Sequence, residues 1–346
     1  MKDVLLSVVI ISHNQKELLR RCVESVLAQH TDFGVQIIVS DDRSDDGTRE
    51  MLAQEYGGCV ETLHYNSDNA PISLTLQRAS YNRLNGLQSV KGKYLIHIDG
   101  DDFFTGTTLF QEMVDTLEHH QECDVCCQNF CWIDSDAIAD TGRYVPFNQK
   151  EVLKKFQIVS AEEFLNSAGY LPNSCYCVRV DNLKKDTMLS TIPYDDTLIT
   201  ARYMRGGKIA IIARYDFVYV RYNASSFNSF NTQEKRILFQ PDLQKIILSP
   251  KLAGYFLKKN IGVINFIAQE ALKKGEMRED LIRYLSTQPV WVNKNFGKVK
   301  NISVRSRYIM IYLLTLAMAG LKIKSTIFRK LLYTLSIGKI PKGAKI

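Results

Sequence analysis

The first hundred residues alternate between short apolar runs and longer segments in which apolar residues recur with a helical period. Four apolar runs are rich in strand-forming residues and predict β-strands at Ser7–Ile11, Val35–Val39, Val60–Tyr65 and Tyr94–Ile98. Three segments between them predict helices at Lys16–Gln29, Thr48–Tyr56 and Leu74–Val90. Strands that alternate with helices form a mostly parallel sheet covered on both faces, so we expect an α/β domain.

Polar clusters follow three of these strands directly. They are Ser12-His13-Asn14, Asp41-Asp42 and Asp99-Gly100-Asp101-Asp102. Ligands of open α/β sheets bind beyond the carboxyl ends of the strands. We therefore expect the three clusters to meet at one edge of the sheet and to form a binding site there.

The third cluster carries the pattern of a metal site. Asp99 and Asp101 leave a strand in a turn with Gly100 between them, and a turn can aim both carboxylates at one point. Two close carboxylates resist joint ionisation unless a cation lies between them. Mg²⁺ or Mn²⁺ prefers oxygen ligands and bridges carboxylates to substrate phosphates. The alternative is an exposed acidic turn without a ligand.

The second cluster and a helical arginine add to this site. Asp41 and Asp42 would lie where the base and ribose of a nucleotide could be hydrogen-bonded, and Arg83 could reach a diphosphate. The alternative for the aspartates is capping of the following helix. Because Ser44–Asp46 could fill that capping role, we expect Asp41 and Asp42 to be free of a structural task.

The cysteines leave two alternatives open. Cys123, Cys126, Cys127 and Cys131 are spaced like metal ligands, but the segment from Asp124 to Trp132 fits a buried strand better. The chain starts with a strand-like run in place of a signal peptide, so we expect the eight cysteines to be reduced thiols.

Several motifs in order resemble family 2 glycosyltransferases. The first lies in Ser7–Asn14 and the second in Leu18–Gln29; the third, Ile37–Thr48, contains Ser-Asp-Asp-Arg-Ser-Asp-Asp-Gly-Thr. Arg83–Gly86 and Lys91–Asp102 complete the set. The resemblance is strong up to about Asp102 and weaker up to about Ser226.

The resemblance implies a GT-A fold and an inverting transfer of sugar from a nucleotide-sugar, with a UDP-sugar as the expected donor. It places Asp41 or Asp42 at the base, Asp99 and Gly100 at the ribose, and Asp99 and Asp101 on Mn²⁺ or Mg²⁺. Ser12, His13 and Asn14 replace the family's usual Thr-Tyr-Asn and are expected to contact the nucleotide. Arg83 matches the first residue of the family's Arg-Asn pair, whereas Asn85 is displaced by one position.

An inverting transfer needs a carboxylate that takes the proton of the acceptor hydroxyl. The family supplies this base from a Glu-Asp pair at the start of a helix, and Asp195-Asp196 is the matching pair here. We therefore expect Asp196 to be the catalytic base. Asp195 and Arg221 are expected near the acceptor or the phosphates. The alternative for the acidic pair is again helix capping.

The excess positive charge of the chain is concentrated in its last 66 residues. Residues 281–346 carry thirteen Lys or Arg and no Asp or Glu, whereas the first 280 residues carry 31 basic against 37 acidic residues. This argues against nucleic acid as a partner of the body and predicts a tail that meets an anionic surface. We expect a GT-A domain at 1–225, a helical extension at 226–300 and a basic amphipathic tail at 301–346.

The apolar stretch Tyr308–Leu321 is too short to span a bilayer but suits an interfacial helix on anionic lipid. Packing of this tail on the body or on a partner is the alternative. A tail on lipid predicts a peripheral protein on the cytoplasmic face of the cell membrane. A lipid-linked or other glycan would then be the acceptor, as in cell-surface polysaccharide or lipopolysaccharide assembly.

Two other functions lack their motif. A nucleotidyltransferase or a dinucleotide-dependent dehydrogenase needs a glycine-rich loop after the first strand, and Ser12-His13-Asn14-Gln15 contains no glycine. The processive-synthase signature is also missing, which favours addition of a single sugar. A catalytically inactive nucleotide-sugar or glycan-binding protein at the membrane surface stays as the alternative.

Overall fold

The computed structural model divides the chain into two compact units, residues 1–229 and 230–346. The residues that the structure describes are 2–66, 68, 77–137, 144–146, 151–161, 163–164, 171–181, 207–222, 261 and 264. All elements below belong to the first unit. The basic tail lies outside the described residues, and the predicted domain boundaries stay predictions. Within the described part, no helix has the length and apolar character needed to cross a membrane.

The elements predicted in the first hundred residues are confirmed. They are β1 (Val4–Ser12), α1 (Lys16–Leu27), β2 (Gly34–Asp42), α2 (Thr48–Tyr56), β3 (Glu61–Tyr65), α3 (Gln77–Gln88) and β4 (Tyr94–Asp99). Strands β1 and β2 continue beyond their apolar runs, because their main chains keep pairing: Ser12 lies opposite Asp41, and Asp42 lies opposite Tyr65 of β3. The polar clusters therefore begin inside the sheet.

Parallel pairing in the order β3-β2-β1-β4 brings the strand ends to one edge. Ile11 lies opposite Asp99 of β4 on one side and opposite Ser40 of β2 on the other. Helix α3 packs closely on β1: a Cβ on Gly86 would lie 2.4 Å from Cγ1 of Val9. This close approach holds α3 against the strands whose ends carry the polar clusters.

The rest of the first unit adds shorter elements. They are β5 (Phe103–Phe104), α4 (Leu109–His119), β6 (Cys123–Cys127), β7 (Phe130–Asp134), β8 (Val145–Pro146), β9 (Gln157–Ser160), β10 (Tyr176–Arg179), β11 (Lys208–Ile211) and β12 (Phe217–Arg221). Short 3-10 turns occur at Ser135–Ala137, Glu151–Leu153 and Asn173–Cys175.

The large sheet is mixed, with the strand order β3-β2-β1-β4-β10-β6-β11-β9. The α/β fold class with a mostly parallel sheet is confirmed, since four of the seven neighbouring strand pairs described in this sheet are parallel. Strand β10 runs antiparallel to both β4 and β6, and β9 runs antiparallel to β11. Both antiparallel strands, β9 and β10, come after β4 in the chain.

A second sheet has the order β5-β12-β7-β8. One of its faces carries a small apolar core that contains Phe103, Ile133 and Val218, with Tyr222 packed against it. Strand β12 is parallel to β7 and antiparallel to β5. Because β5 follows the acidic turn directly, this sheet is joined to the candidate site.

The cysteine-rich segment forms two strands where one was predicted. Strand β6 lies in the large sheet and β7 in the small one. The chain changes sheets at Gln128 and Asn129, whose N–H groups donate to the main-chain oxygens of Cys175 (3.0 Å) and Arg214 (3.1 Å). All eight cysteines are free thiols, and every one except Cys59 is buried.

Candidate active site

Helix α3 is anchored to the ends of β1 and β2 by side-chain amides. Asn82 Nδ2 donates to the main-chain oxygens of Ser12 (3.3 Å) and Ser40 (2.9 Å). Asn85 Nδ2 donates to Oγ of Ser40 at 2.9 Å. These bonds fix the helix against the sheet edge, so two arginines of α3, Arg78 and Arg83, reach the strand-end carboxylates.

The acidic turn after β4 is held tightly by its neighbours. The N–H of Gly100 donates to the main-chain oxygen of Ile11 at 2.9 Å, and the N–H of Asp102 donates to that of Asp99 at 3.0 Å. A Cβ on Gly100 would lie 2.8 Å from the oxygen of Ile11 and 2.7 Å from Nε2 of Gln15. Glycine is therefore required at this position by the close approach of β1.

The side chains of this turn carry converging negative charge. Asp99 Oδ1 accepts a hydrogen bond from Nη2 of Arg83, and the two side chains form an ion pair. Burial and the nearby charge of Asp99 raise the pKa of Asp101 to about 7. The carboxylate of Asp99 thus lies close enough to oppose ionisation of Asp101.

Asp102 has a different environment from its two neighbours. It is 1% exposed, and its Oδ1 accepts a hydrogen bond from the N–H of Val220 on β12 at 2.9 Å. Burial, followed by the charges of Asp101 and Asp99, raises the pKa of Asp102 well above its ordinary value. The structure gives Asp102 the task of connecting the turn to β12.

The donor set of Asp99 and Asp101 fits a divalent metal of the Mg²⁺ or Mn²⁺ type. Both residues offer carboxylate oxygens, which such ions prefer, and a cation between them would offset their repulsion. Among the described residues, no group of three or more His, Cys, Asp or Glu is arranged to hold a metal. Phosphate oxygens and water are further ligands that ions of this type take.

Asp41 has a structural task, so the expectation that it is free was wrong. It is fully buried. Its Oδ2 accepts hydrogen bonds from the N–H of Ser44 at 3.1 Å and from Nε of Arg49 at 2.9 Å. Its Oδ1 accepts one from the hydroxyl of Ser44. Asp41 thus shapes the loop between β2 and α2.

Asp42 is connected to the opposite helix. Its Oδ2 accepts hydrogen bonds from Nε and Nη2 of Arg78, both at 3.2 Å. Arg78 was not predicted to belong to the site. It lies on the same helix as Arg83, and the presence of a second arginine on the helix before the acidic strand is the signal that could have found it.

The cluster Ser12-His13-Asn14 brings one buried hydroxyl to the sheet edge and makes hydrogen bonds with the end of β2 and the loop that follows it. Oγ of Ser12, a residue 3% exposed, is buried without a hydrogen-bond partner among the described residues. His13 Nδ1 donates to the main-chain oxygen of Asp42 at 2.6 Å. Asn14 has a positive φ of 52°, and its Oδ1 accepts from the N–H of Asp45 at 2.9 Å.

The residues expected on the acceptor side are only partly described. Arg221 lies at the end of β12, where Nε and Nη2 donate to the two carboxylate oxygens of Asp134 at 2.7 and 3.1 Å. Its guanidinium also stacks 3.9 Å above the ring of Trp132. Asp195 and Asp196 lie outside the described residues, so the position of the expected base stays a prediction.

Comparison with known proteins agrees with this fold. Residues 7–163 match the sequence profile of "Glycosyl transferase family 2". This stretch contains the strand-end residues at the sheet edge, from Ser12 to Asp101. The match agrees with the resemblance to family 2 glycosyltransferases seen in the sequence, and it covers the N-terminal part of the chain.

Two curated relatives illustrate the similarity. An uncharacterized protein of Mycobacterium tuberculosis is 26% identical over 233 residues, which cover 67% of this chain and 63% of the relative. TuaG of Bacillus subtilis, described as a glycosyltransferase of teichuronic acid biosynthesis, is 34% identical over 100 residues, or 28% of this chain and 36% of TuaG. The chain thus spans less than two thirds of the length of these relatives.

Solved structures of TarS from S. aureus share the fold. The complex with UDP-GlcNAc superposes with a TM-score of 0.51 and 16% identity over 91% of this chain and 81% of TarS. The complex with UDP gives a TM-score of 0.55 and 14% identity, with 91% of each chain covered. These matches confirm the GT-A fold predicted from the sequence.

Proposed function

We propose that this glycosyltransferase moves a single sugar from a UDP-sugar to an acceptor hydroxyl, with inversion at the sugar and with a divalent metal. The observation that carries this proposal is that two pairs of opposite charge, Arg83 with Asp99 beside Asp101 and Arg78 with Asp42, lie at one sheet edge. Carboxylates for a metal and cations for phosphates are the groups that a nucleoside diphosphate needs. The TarS complexes with UDP-GlcNAc and UDP support this donor class.

Asp99 and Asp101 would hold Mn²⁺ or Mg²⁺. When bound, such an ion neutralises charge on the leaving diphosphate. Asp102 keeps the turn in place through Val220, and Gly100 lets the turn approach β1. The protein thus presents two carboxylates on a fixed turn, which lowers the cost of ordering them when the donor binds.

The base and ribose would be held at the ends of β1 and β2. Asp42 and Arg78 are better placed for this role than Asp41, whose carboxylate already binds Ser44 and Arg49. The buried hydroxyl of Ser12 is a further group for the nucleotide, since a buried polar atom without a partner is costly unless a ligand satisfies it.

The roles proposed for residues on the acceptor side of the site rest on the resemblance to family 2 glycosyltransferases. Asp196 would take the proton of the acceptor hydroxyl as its oxygen attacks the anomeric carbon, and the diphosphate would leave from the opposite face. Asp195 and Arg221 would help to orient the acceptor or the phosphates. Since Arg221 is paired with Asp134 here, contact with a ligand would require it to share or exchange this partner.

The acceptor class and the location are part of the same proposal. A glycan or a lipid-linked glycan of the cell surface would be the acceptor, in line with the description of TuaG. The basic tail at 301–346 would hold the enzyme on anionic lipid at the cytoplasmic face of the membrane. Sedimentation with anionic liposomes tests this part, and a tailless variant that still pellets would contradict it.

A thermal-shift panel tests the donor proposal without knowledge of the acceptor. Nucleotide diphosphates and nucleotide-sugars are each added with Mn²⁺ and with EDTA, because a ligand of the native state raises its stability in proportion to RT ln(1 + [L]/Kd). We expect a Mn²⁺-dependent shift with UDP and UDP-sugars that Asp101→Asn abolishes. Equal shifts with EDTA, or none with any nucleotide, would contradict the proposal.

A further inference from the structure

Arg83 and Asp99 form an ion pair between a buried cation and an accessible carboxylate. Nη2 of Arg83 donates to Oδ1 of Asp99. The side chain of Arg83 is 7% exposed, whereas that of Asp99 is 35% exposed. The carboxylate can therefore be reached from solvent while it is held by the guanidinium from the protein side.

The same carboxylate is a proposed ligand of the divalent metal. A cation bound to Asp99 would lie within a few ångströms of the guanidinium, where two positive charges repel each other strongly. The metal and the guanidinium of Arg83 would thus compete for the negative charge of Asp99.

We propose that Arg83 is the counter-ion of Asp99 in the empty site and passes from Asp99 to the donor's diphosphate when metal and nucleotide bind. This inference rests on the proposed function. The exchange conserves charge pairing, because Asp99 gains the metal as Arg83 gains a phosphate. Arg83 is suited to this change of partner because a guanidinium binds carboxylate and phosphate oxygens with the same geometry.

The exchange couples the binding of metal to the binding of nucleotide. A metal alone must compete with the guanidinium for the carboxylate of Asp99, and this competition opposes binding. A diphosphate gives the guanidinium a new partner and supplies ligands to the metal. Each ligand therefore raises the affinity for the other, and part of this coupling is carried by the single residue Arg83.

The test measures the two affinities separately. Mn²⁺ binding to the nucleotide-free protein is followed by the electron paramagnetic resonance signal of free Mn²⁺, and UDP binding at saturating Mn²⁺ by calorimetry. In Arg83→Gln we expect tighter Mn²⁺ binding by about 3- to 10-fold, since a competing charge is removed. We expect weaker UDP binding by about 10-fold or more, since a charged phosphate contact is lost.

Arg83→Lys separates charge from geometry. It keeps a competing cation, so Mn²⁺ affinity should stay close to that of the natural protein, but it loses the planar fork, so UDP affinity should still fall. Should Arg83→Gln fail to fold, this variant carries the test alone. Loss of both affinities in Arg83→Lys, or retention of both, would overturn the exchange.

An arginine outside the candidate site provides the matched control. Arg20→Gln removes an arginine that pairs with Glu55 and Glu17 on the exposed surface, and it should change neither affinity. If Arg83→Gln weakens Mn²⁺ and UDP together, Arg83 only orients Asp99 and the inference is wrong. If the natural protein binds neither Mn²⁺ nor UDP, the proposed function fails first, and the exchange fails with it.

Discussion

Asp102 accepts a hydrogen bond from the main-chain N–H of Val220 at 2.9 Å, and this bond joins the acidic turn to the small sheet. Strand β5 pairs with β12 only through Phe103 and Phe104. The side chain of Asp102 continues this connection where the main chain turns away. The last residue of the acidic motif thus acts on structure, while Asp99 and Asp101 stay available for a ligand.

This hydrogen bond predicts that two substitutions at Asp102 differ in their effect on stability. Asn keeps an oxygen that accepts from the N–H of Val220, and it removes a buried carboxylate whose pKa is raised by burial and by two neighbouring carboxylates. Asp102→Asn should therefore leave the unfolding free energy nearly unchanged. Asp102→Ala leaves the buried N–H unpaired and should cost about 1–3 kcal/mol. Urea unfolding measures both, and equal losses would contradict this role.

Gly100 should tolerate no side chain. A Cβ there would lie 2.8 Å from the main-chain oxygen of Ile11, which cannot move without disturbing β1. Gly100→Ala should lower the unfolding free energy by about 1–3 kcal/mol and weaken Mn²⁺ binding. Gly58→Ala is the matched control, because no atom lies within 4 Å of a Cβ built there. Equal behaviour of the two variants would be evidence against the close approach.

Asp46 connects the first turns of α1 and α2. Its Oδ2 accepts from the N–H of Lys16 at 2.9 Å, and its Oδ1 accepts from the N–H of Thr48 at 3.1 Å and from the hydroxyl of Thr48 at 2.6 Å. Asp46→Ala should therefore lower the unfolding free energy by about 1–2 kcal/mol at neutral pH. Asp45→Ala, at an exposed neighbour, is the control and should have little effect.

The effect of Asp46 should depend on pH with a definite sign. Burial raises its pKa, but the hydrogen bonds from Thr48 and Lys16 outweigh burial and bring the pKa below the ordinary value of 3.8. The ionised carboxylate therefore stabilises the fold above pH 3.8, and this contribution is lost as the pH falls through the folded-state pKa. The difference between the natural protein and Asp46→Ala should shrink in acid. A constant difference would refute the explanation.

Arg78 should affect nucleotide binding but not binding of the metal alone. It pairs with Asp42 at the end of β2, away from the carboxylates proposed for the metal. Arg78→Ala should weaken UDP binding by about 10-fold, as expected for loss of a charged hydrogen bond, and leave Mn²⁺ binding to the empty protein unchanged. Unaltered UDP affinity would exclude Arg78 from the base subsite.

The sequence predicts the part of the fold in which each strand carries its own signal. Strands β1, β2 and β4 are strongly apolar, and helices separate the first four strands, so their type and their parallel direction follow from the pattern. Strands β5 and β8 have two residues each and owe their existence to their partners. The change of sheet at Gln128 depends on a hydrogen bond to Cys175, which a local pattern cannot show.

The candidate site could be predicted to a similar degree. Parallel strand ends must share an edge, so the meeting of Asp42 and Asp99 with Ser12 follows from the strand order. The different roles of the adjacent residues Asp41 and Asp42 cannot be predicted from the strand order. Asp41 is tied down by Ser44 and Arg49, and these bonds exist only once the loop and α2 have folded around it.

Calorimetric titration of UDP into the protein, with Mn²⁺ and then with EDTA, tests the central claim most directly. The account predicts that UDP binds with Mn²⁺, that EDTA weakens binding by about 10-fold or more through loss of the metal bridge, and that Asp101→Asn behaves like the natural protein in EDTA. UDP binding of equal strength in all three cases would contradict a metal-dependent nucleotide site at Asp99 and Asp101.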